Sequence, residues 1–178
     1  MFLRRSQRRE RQATIERLYG AIVTQARLPI FYTVLAVPDT VEGRFELIIL
    51  HIHLLFRRLA REPEASRAIS QEVFDLFFED MDASLRELGI GDLAVPRKMR
   101  AMGEAFYGRA GAYEAALAEP GDTALAAALH RNVYAGGGAE AAARRLAGYV
   151  RNADRALAGQ DAVTIAGGAL VFPLPAGI

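Results

Sequence analysis

Residues 41–61 are apolar on nearly every side when they are drawn as a helix, and this restricts the fold more than any other feature. At about 100° per residue, one apolar face collects Phe45, Ile48, Ile49, Ile52, Phe56 and Leu59. A second, roughly opposite face collects Leu47, Leu50 and Leu54. A helix that is apolar all round is normally buried at the centre of a domain. The pattern therefore predicts a central core helix, with one alternative, in which the second face receives a hydrophobic client.

Five further helices are predicted from apolar spacing and from capping and stop residues. They run from about Thr14 to before Pro29, from Ser66 or Ser70 to Leu88, from Arg97 to Ala118, from Thr123 to Tyr134 and from Glu140 to Ala158. Residues 29–38 lie between two prolines and are predicted as an extended connector, with a short strand as the alternative. The 178 residues suffice for one core. The expected fold is therefore all-α, a single-domain bundle of about six helices with an extended apolar C-terminal tail.

The two ends of the chain are expected to differ from the bundle. Residues 1–11 are expected to form a basic N-terminal tail ahead of a single helical domain over residues 12–178. The arginines of this tail are Arg4, Arg5, Arg8, Arg9 and Arg11. Three roles are open to them: solvation, contact with anionic lipid headgroups, or contact with ribosomal RNA phosphates. Residues 163–175 are apolar but interrupted by glycine and proline, so they are expected to lie extended along the bundle.

Side chains that carry catalysis do not occur in any familiar arrangement. The chain has no cysteine, which excludes disulfides, iron–sulfur clusters and thiol nucleophiles. The glycine triplet 136–138 lacks the rest of a phosphate-binding loop. Asp80 and Asp82 diverge on a helix, which makes them a poor acid–base pair. We expect no catalytic residue, no enzyme activity, no cofactor and no metal site.

His51 and His53 lie in the apolar helix. They are two residues apart and so about 200° apart around its axis, which prevents them from binding one metal ion together. A single histidine on an apolar helix is also how many haem pockets are built. His51 is therefore interpreted either as a histidine hydrogen-bonded in the core or as a ligand in a binding module for haem, quinone or lipid. His53 shares a polar stripe with Glu46 and Arg57, which favours hydrogen bonding within the fold.

Charge is divided between two neighbouring segments. Residues 70–92 contain seven acidic residues against Arg86, and residues 93–111 contain four basic residues against Glu104. Such runs fit a solvated face, pairing between the two predicted helices, or a bipolar surface for a partner protein. For the last case, the candidate partner-binding residues are Asp75, Glu79, Asp82, Arg86, Lys98 and Arg109.

Two groups of short motifs look specific in their order and spacing. The first contains Phe31-Tyr32, Val37-Pro38-Asp39-Thr40, Gly43-Arg44-Phe45, His51 and Arg57-Arg58-Leu59. The second contains Phe78-Glu79-Asp80-Met81-Asp82, Gly89-Ile90-Gly91-Asp92, Val95-Pro96-Arg97-Lys98-Met99, Ala105-Phe106-Tyr107-Gly108-Arg109 and Tyr113. Together they resemble the ubiquinol–cytochrome c chaperone family, whose members occur in mitochondria and alphaproteobacteria.

The resemblance implies a helical chaperone that binds newly made cytochrome b, or an assembly intermediate of the cytochrome bc1 complex (complex III) of the respiratory chain. It implies no established catalytic residues. The similar fungal protein works with a small partner at the ribosome exit. No transit peptide is visible, so the alphaproteobacterial form is expected. The longest apolar run, residues 45–56, is too short to span a bilayer, and we expect a cytoplasmic protein, or one peripheral at the inner membrane, that does not bind DNA.

Overall fold

Helices make up the regular structure of residues 2–175, the part of the chain that the computed structural model describes (for residues 2–4 and 65, the backbone alone). They are α1 (Phe2–Ala26), α2 (Pro29–Thr33), α3 (Val41–Leu59), α4 (Glu64–Glu87), α5 (Val95–Ala118), α6 (Thr123–Asn132), α7 (Glu140–Ala158) and α8 (Ala162–Ala166). Helices α2 and α8 have five residues each, and the others have ten or more. The predicted all-α bundle of about six substantial helices is confirmed.

Helix α3 is the centre of the bundle. Helices α1, α4, α5 and α7 all pack against it. Leu47, Leu50 and Leu54, the second apolar face, are completely buried, as are Ile49 and Ile52 on the first. The prediction of a core helix is confirmed. The alternative, in which the second face receives a client, is wrong because neighbouring helices already cover that face.

The start of α3 is determined by a cap and a close approach of the backbone. Thr40 has an extended backbone, and its Oγ1 accepts a hydrogen bond from the amide of Gly43 at 3.1 Å. A Cβ at position 43 would lie 2.0 Å from the carbonyl oxygen of Pro38. Only glycine lets the incoming chain cross the first turn of α3 so closely.

Helix α1 lies parallel to α4 and is joined to it by two polar contacts. The Nε–H of Arg11 is shared between the two carboxylate oxygens of Glu72 at 3.0 Å, and Nη2 donates to Oε1 at 2.7 Å. Tyr19 donates to Asp80 at 2.7 Å. The helix is continuous through residue 11, so the predicted tail is part of α1 where it is described, and Arg11 is used in helix packing. Residues 5–10 are exposed; Met1 and the side chain of Arg4 lie outside the described part of the chain. A separate role for this segment stays a prediction.

The connector after α1 differs from the prediction. Residues 29–33 form the short helix α2 instead of an extended segment or a strand. Proline is tolerated in the first turn of a helix, where its missing N–H has no intrahelical partner to lose. Leu28, which precedes it, has the extended backbone that a following proline favours. Beyond α2 the chain turns back on the helix: Ala36 has a φ of 52°, and the amide of Val37 donates to the carbonyl of Phe31 at 2.9 Å. Leu35 and Val37 are buried in the core.

The C-terminal segment lies on the bundle as predicted, but its first residues, 163–166, belong to the short helix α8 and are not extended. The side-chain amide of Gln160 donates to the carbonyl of Val171 at 2.5 Å and accepts from its amide at 3.1 Å. Gln25 of α1 donates to the carbonyl of Pro173 at 2.9 Å, and Phe172 is buried. Within residues 2–175, none of the helices combines the length and apolar character needed to cross a membrane.

Candidate functional site

The α4–α5 hairpin carries a ladder of aromatic rings that leads from the core to the surface. Phe77 and Phe106 are buried at its inner end, with ring centroids 6.4 Å apart. Phe74 is half-buried and lies 4.9 Å from Phe106 and 5.8 Å from Tyr107, while Phe78 lies 4.5 Å from Phe74. Tyr107 ends the ladder with 66% of its surface exposed. Apolar surface therefore continues outward from the core.

The tip of this hairpin exposes two leucines. Leu88 is 64% exposed, and Leu93 is 99% exposed. The turn between them is well ordered by hydrogen bonding: Gly89 has a φ of 77°, and the amide of Ile90 donates to the carbonyl of Leu85 at 3.1 Å. This is a Schellman motif, in which glycine supplies the left-handed conformation that ends a helix. The exposed leucines are thus held at a defined turn.

The term apolar strip is used here for Phe74, Phe78, Met81 and Leu85 on α4, Leu88 at the C-cap of α4, Leu93 in the turn and Tyr107 on α5. The first five share one face, because their spacing follows the helical repeat. At 1.5 Å per residue they extend over about 21 Å of the helix. Phe74, Phe78, Met81 and Leu85 are half-buried, whereas Leu88, Leu93 and Tyr107 are exposed. Apolar surface that reaches solvent in this way is typical of interaction sites on soluble proteins.

An acidic face lies beside the apolar strip on α4. Asp75 and Glu79 are exposed, and Asp82 and Arg86 continue the same face. Arg86 forms ion pairs with Asp82 at 2.6 Å and with Asp92 at 2.5 Å, so its positive charge is paired within the acidic segment. No ion pair joins α4 to α5 in the described part of the chain. The structure brings these four predicted residues together; their role in binding stays a prediction.

Lys98 and Arg109 do not belong to this surface. They are eleven residues apart and so share a face of α5. Arg109 is half-buried on that face and pairs with Glu46 of α3. The side of α5 that meets α4 is marked by Gly103, where a Cβ would come within 3.6 Å of Phe78. The expectation that Arg109 is exposed is wrong, and the bipolar surface divides into two separate faces.

His51 is a core histidine whose two ring nitrogens are both used. Nδ1 lies 2.7 Å from the carbonyl oxygen of Leu47, so this nitrogen carries the proton and donates. Nε2 lies 2.7 Å from Oη of Tyr149, which accepts from Gln25 and donates to the imidazole. Complete burial lowers the pKa of His51 to about 4 and keeps the ring neutral. No ring nitrogen is free for a haem or another ligand.

The predicted polar stripe of α3 consists of Glu46, His53 and Arg57. Burial raises the pKa of Glu46, and the guanidinium of Arg109 opposes that rise. Arg57 pairs with Glu114 of α5 and, at 2.9 Å, with Asp154 of α7. The stripe therefore links three helices inside the bundle, which agrees with a structural role.

Sequence patterning missed the exposed members of the apolar strip. The helical spacing of Leu88 with Met81 and Leu85, and of Tyr107 beside Phe106, predicts residues that face the core or its rim; both predictions are wrong, because both side chains are exposed. Periodicity identifies an apolar face but not where the neighbouring helix stops covering it. The available signal was the position of Leu88 and Leu93 on either side of a glycine turn, where a hairpin runs beyond its neighbours.

Comparison with known proteins identifies a matching family model, similar curated proteins and a similar solved structure. The family model described as ubiquinol-cytochrome C chaperone matches residues 33–172. The ubiquinol-cytochrome-c reductase complex assembly factor 1 of Xenopus laevis is 27% identical over 117 residues, or 66% of this chain. The corresponding Mus musculus protein is 24% identical over 118 residues. The crystal structure of the Cbp3 homolog from Brucella abortus superimposes with a TM-score of 0.88 at 40% identity, covering 97% of each chain.

The matched segment is a part of the vertebrate relatives. It covers 58% of the Xenopus protein and 40% of the mouse protein. The Brucella chain, by contrast, is similar over nearly its whole length. What this chain shares with the vertebrate proteins is therefore a segment of 117–118 residues, 66% of its length.

Proposed function

We propose, from the premise that this chain belongs to the ubiquinol-cytochrome C chaperone family, that it assists assembly of the cytochrome bc1 complex by binding newly made cytochrome b. It acts by binding and catalyses no reaction. The names of the Xenopus and mouse relatives refer to assembly of ubiquinol–cytochrome c reductase, which is the same complex. Cytochrome b is the proposed client because the resemblance of the two motif groups implies it.

The apolar strip is the observation that carries the proposal. A membrane protein that has not yet been inserted exposes apolar helices to water, and an exposed apolar surface can shield them. The strip extends over about 21 Å, most of the ~30 Å of hydrocarbon that a transmembrane helix must cross. Leu93 and Tyr107 are its two most exposed members, at 99% and 66%. The proposed occupant of the strip is one transmembrane helix of the client.

The acidic face of α4 supports the same occupant. Short cytoplasmic loops of membrane proteins are enriched in lysine and arginine. A transmembrane helix bound along the strip would place such a basic flank near Asp75 and Glu79, which are exposed. Complementary charge of this kind gives orientation and speeds encounter more than it adds affinity. In this proposal the protein acts at the membrane face on which the client's basic loops lie.

The alternative, a small-molecule module for haem, quinone or lipid at His51, has no observation in its favour. A ligand would have to replace the hydrogen bonds of His51 to both Leu47 and Tyr149. It would also have to displace Phe172, whose ring lies 5.0 Å from the imidazole. Loss of the contact between Phe172 and His51 would detach the C-terminal segment from the bundle.

The proposal is tested by co-isolation of cytochrome b with tagged protein from membranes of the source organism. Leu93→Ser with Tyr107→Ser removes apolar surface from the strip, and both side chains are exposed, so stability should change by about 0.5 kcal/mol or less for each. The matched control is Val163→Ser with Val171→Ser, which removes apolar side chains that are equally exposed elsewhere. We expect the first variant to lose cytochrome b and the control to retain it. Equal recovery from both would refute the assignment of the strip.

A second pair of variants tests the acidic face. Asp75→Lys with Glu79→Lys should weaken co-isolation of cytochrome b, most strongly at low salt, because charge attraction is screened as ionic strength rises. Glu16→Lys with Glu119→Lys makes the same charge change at exposed positions outside α4. If both variants bind equally, the acidic face is only a solvated surface.

A further inference from the structure

A basic groove runs along the outer face of α7, away from the apolar strip. It encloses about 480 Å³ and is lined by Arg144, Arg145, Gly148, Asn152 and Arg155. These positions recur at the spacing of one helix face. The centre of the groove is open because Gly148 has no side chain, and a Cβ there would meet nothing within 4 Å. Three guanidinium groups thus surround a concave space.

The positive charge of the groove is not neutralised by carboxylates in its lining. Its one carboxylate, Asp122, is bound to Arg151 at 2.7 Å. Arg145 donates to the carbonyl of Val34 at 3.0 Å, which fixes its position without neutralising it. In the described residues, no carboxylate pairs with Arg144, Arg145 or Arg155. The groove therefore presents net positive charge to solvent.

From this arrangement we infer that the groove binds a phosphoryl group, carried by the headgroup of an anionic phospholipid. The planar guanidinium fork matches phosphate oxygens better than a point charge does. Asn152 adds amide donors one turn away. Val34, which is 39% exposed beside Arg145, supplies apolar surface at the edge of the groove. Single-stranded nucleic acid is less well matched, because it needs exposed aromatic rings for stacking and the aromatic residue of the groove, Tyr149, is buried.

This inference goes beyond the proposed function and depends on different residues. Binding of lipid through α7 and binding of a client through the apolar strip can fail separately. A membrane contact on α7 would orient the protein on the bilayer surface. The groove on α7 is also distinct from the exposed arginines of α1, which are Arg5, Arg8 and Arg9.

The test is co-sedimentation of the full chain with vesicles of phosphatidylcholine, with and without phosphatidylglycerol. Arg144→Gln with Arg155→Gln removes two charges and keeps the side chains of Arg145 and Arg151, whose guanidinium groups hold backbone carbonyls of other elements. The variant loses only the 3.3 Å hydrogen bond from Arg155 to the carbonyl of Arg151 within α7. The matched control is Arg61→Gln with Arg67→Gln, which removes two exposed charges elsewhere. At roughly fivefold per arginine at a lipid surface, the groove variant should bind anionic vesicles about 30-fold more weakly. The control should bind like the native chain, and vesicles of phosphatidylcholine alone should not bind.

Two further probes separate the sources of the phosphoryl group. Saturable binding of inorganic phosphate that is lost in the groove variant, without vesicle binding, would support the site and assign it to free phosphate. Binding of an RNA oligonucleotide that depends on the same arginines, without vesicle binding, would overturn the lipid assignment. Equal losses in the groove variant and the control, or no binding to any probe, would overturn the site.

Discussion

Arg109 of α5 pairs with Glu46 of α3, whose side chain is only 6% exposed. The guanidinium is three-quarters buried at the contact, so both charges are largely removed from water. Arg109 also donates to the carbonyl of Ala105 at 3.2 Å. The residue that charge patterning assigned to a docking surface therefore neutralises a carboxylate inside the bundle.

Arg109→Leu should destabilise the protein by about 3–5 kcal/mol, because it leaves the Glu46 carboxylate buried without its partner. The double variant Glu46→Leu with Arg109→Leu removes both charges and should recover most of that loss. Urea unfolding followed by circular dichroism measures both. A small effect of Arg109→Leu alone would show that Glu46 finds water or another partner.

The second apolar face of α3 gives a direct stability prediction. Leu50→Ala should cost about 2–5 kcal/mol, because Leu50 is completely buried and the cavity left behind cannot collapse fully. Val41→Ala on the same helix is the control, since Val41 is 66% exposed. The two midpoints of urea unfolding are compared. Similar midpoints would mean that the second face is not core.

Most of the fold could be predicted because it depends on local signals. Helix α7 begins at Glu140 and ends at Ala158, where the spacing of its apolar residues and the following Gly159 place it. Helix α4 starts at Glu64 instead of Ser66 or Ser70, because the chain can enter a helix directly after Pro63. Helix α2 was missed since β-branched and aromatic residues are poor indicators in a five-residue helix.

The candidate site was predicted only in part, because it depends on contacts between distant residues. The acidic residues of α4 share a face through local spacing alone. The partner of Arg109 is 63 residues away along the chain, and that of His51 Nε2 is 98 residues away. Likewise, the exposure of Leu93 and Tyr107 is decided by where the other helices end, which no local pattern records.

Acid should destabilise the protein through two buried histidines. Burial lowers the pKa of both His51 and His53 to about 4, whereas a histidine exposed to solvent in the unfolded chain has a pKa of 6.5. Between these values the unfolded state binds more protons, so the stability present above pH ~6.5 is lost as the pH falls toward about 4. The loss is about 3 kcal/mol for each histidine.

Unfolding free energies at a series of pH values check this. His53→Gln should show a shallower decline than the native chain between pH ~6.5 and ~4, because one of the two groups no longer titrates. His51→Gln should do the same from a lower starting stability, since it also disturbs the contact with Tyr149. Slopes parallel to that of the native chain would contradict the assignment.

The hairpin tip contains a matched pair of glycines. Gly89→Ala should destabilise by about 1 kcal/mol, because the φ of 77° is costly for a residue with a Cβ. Gly91→Ala should be nearly neutral, because a Cβ there would meet nothing within 4 Å. Thermal melts of the two variants decide this, and equal melting temperatures would argue against the Schellman turn.

The most direct test of the central claim is site-specific photo-crosslinking in living cells. A photoreactive amino acid is placed at Leu93 or Tyr107 in the apolar strip, and at Val163 as an exposed control. We expect crosslinks to cytochrome b from positions 93 and 107, strongest while cytochrome b is being synthesised, and none from position 163. Crosslinks to cytochrome b from position 163 alone, or from no position while the protein still supports bc1 assembly, would contradict the claim that the strip binds the client.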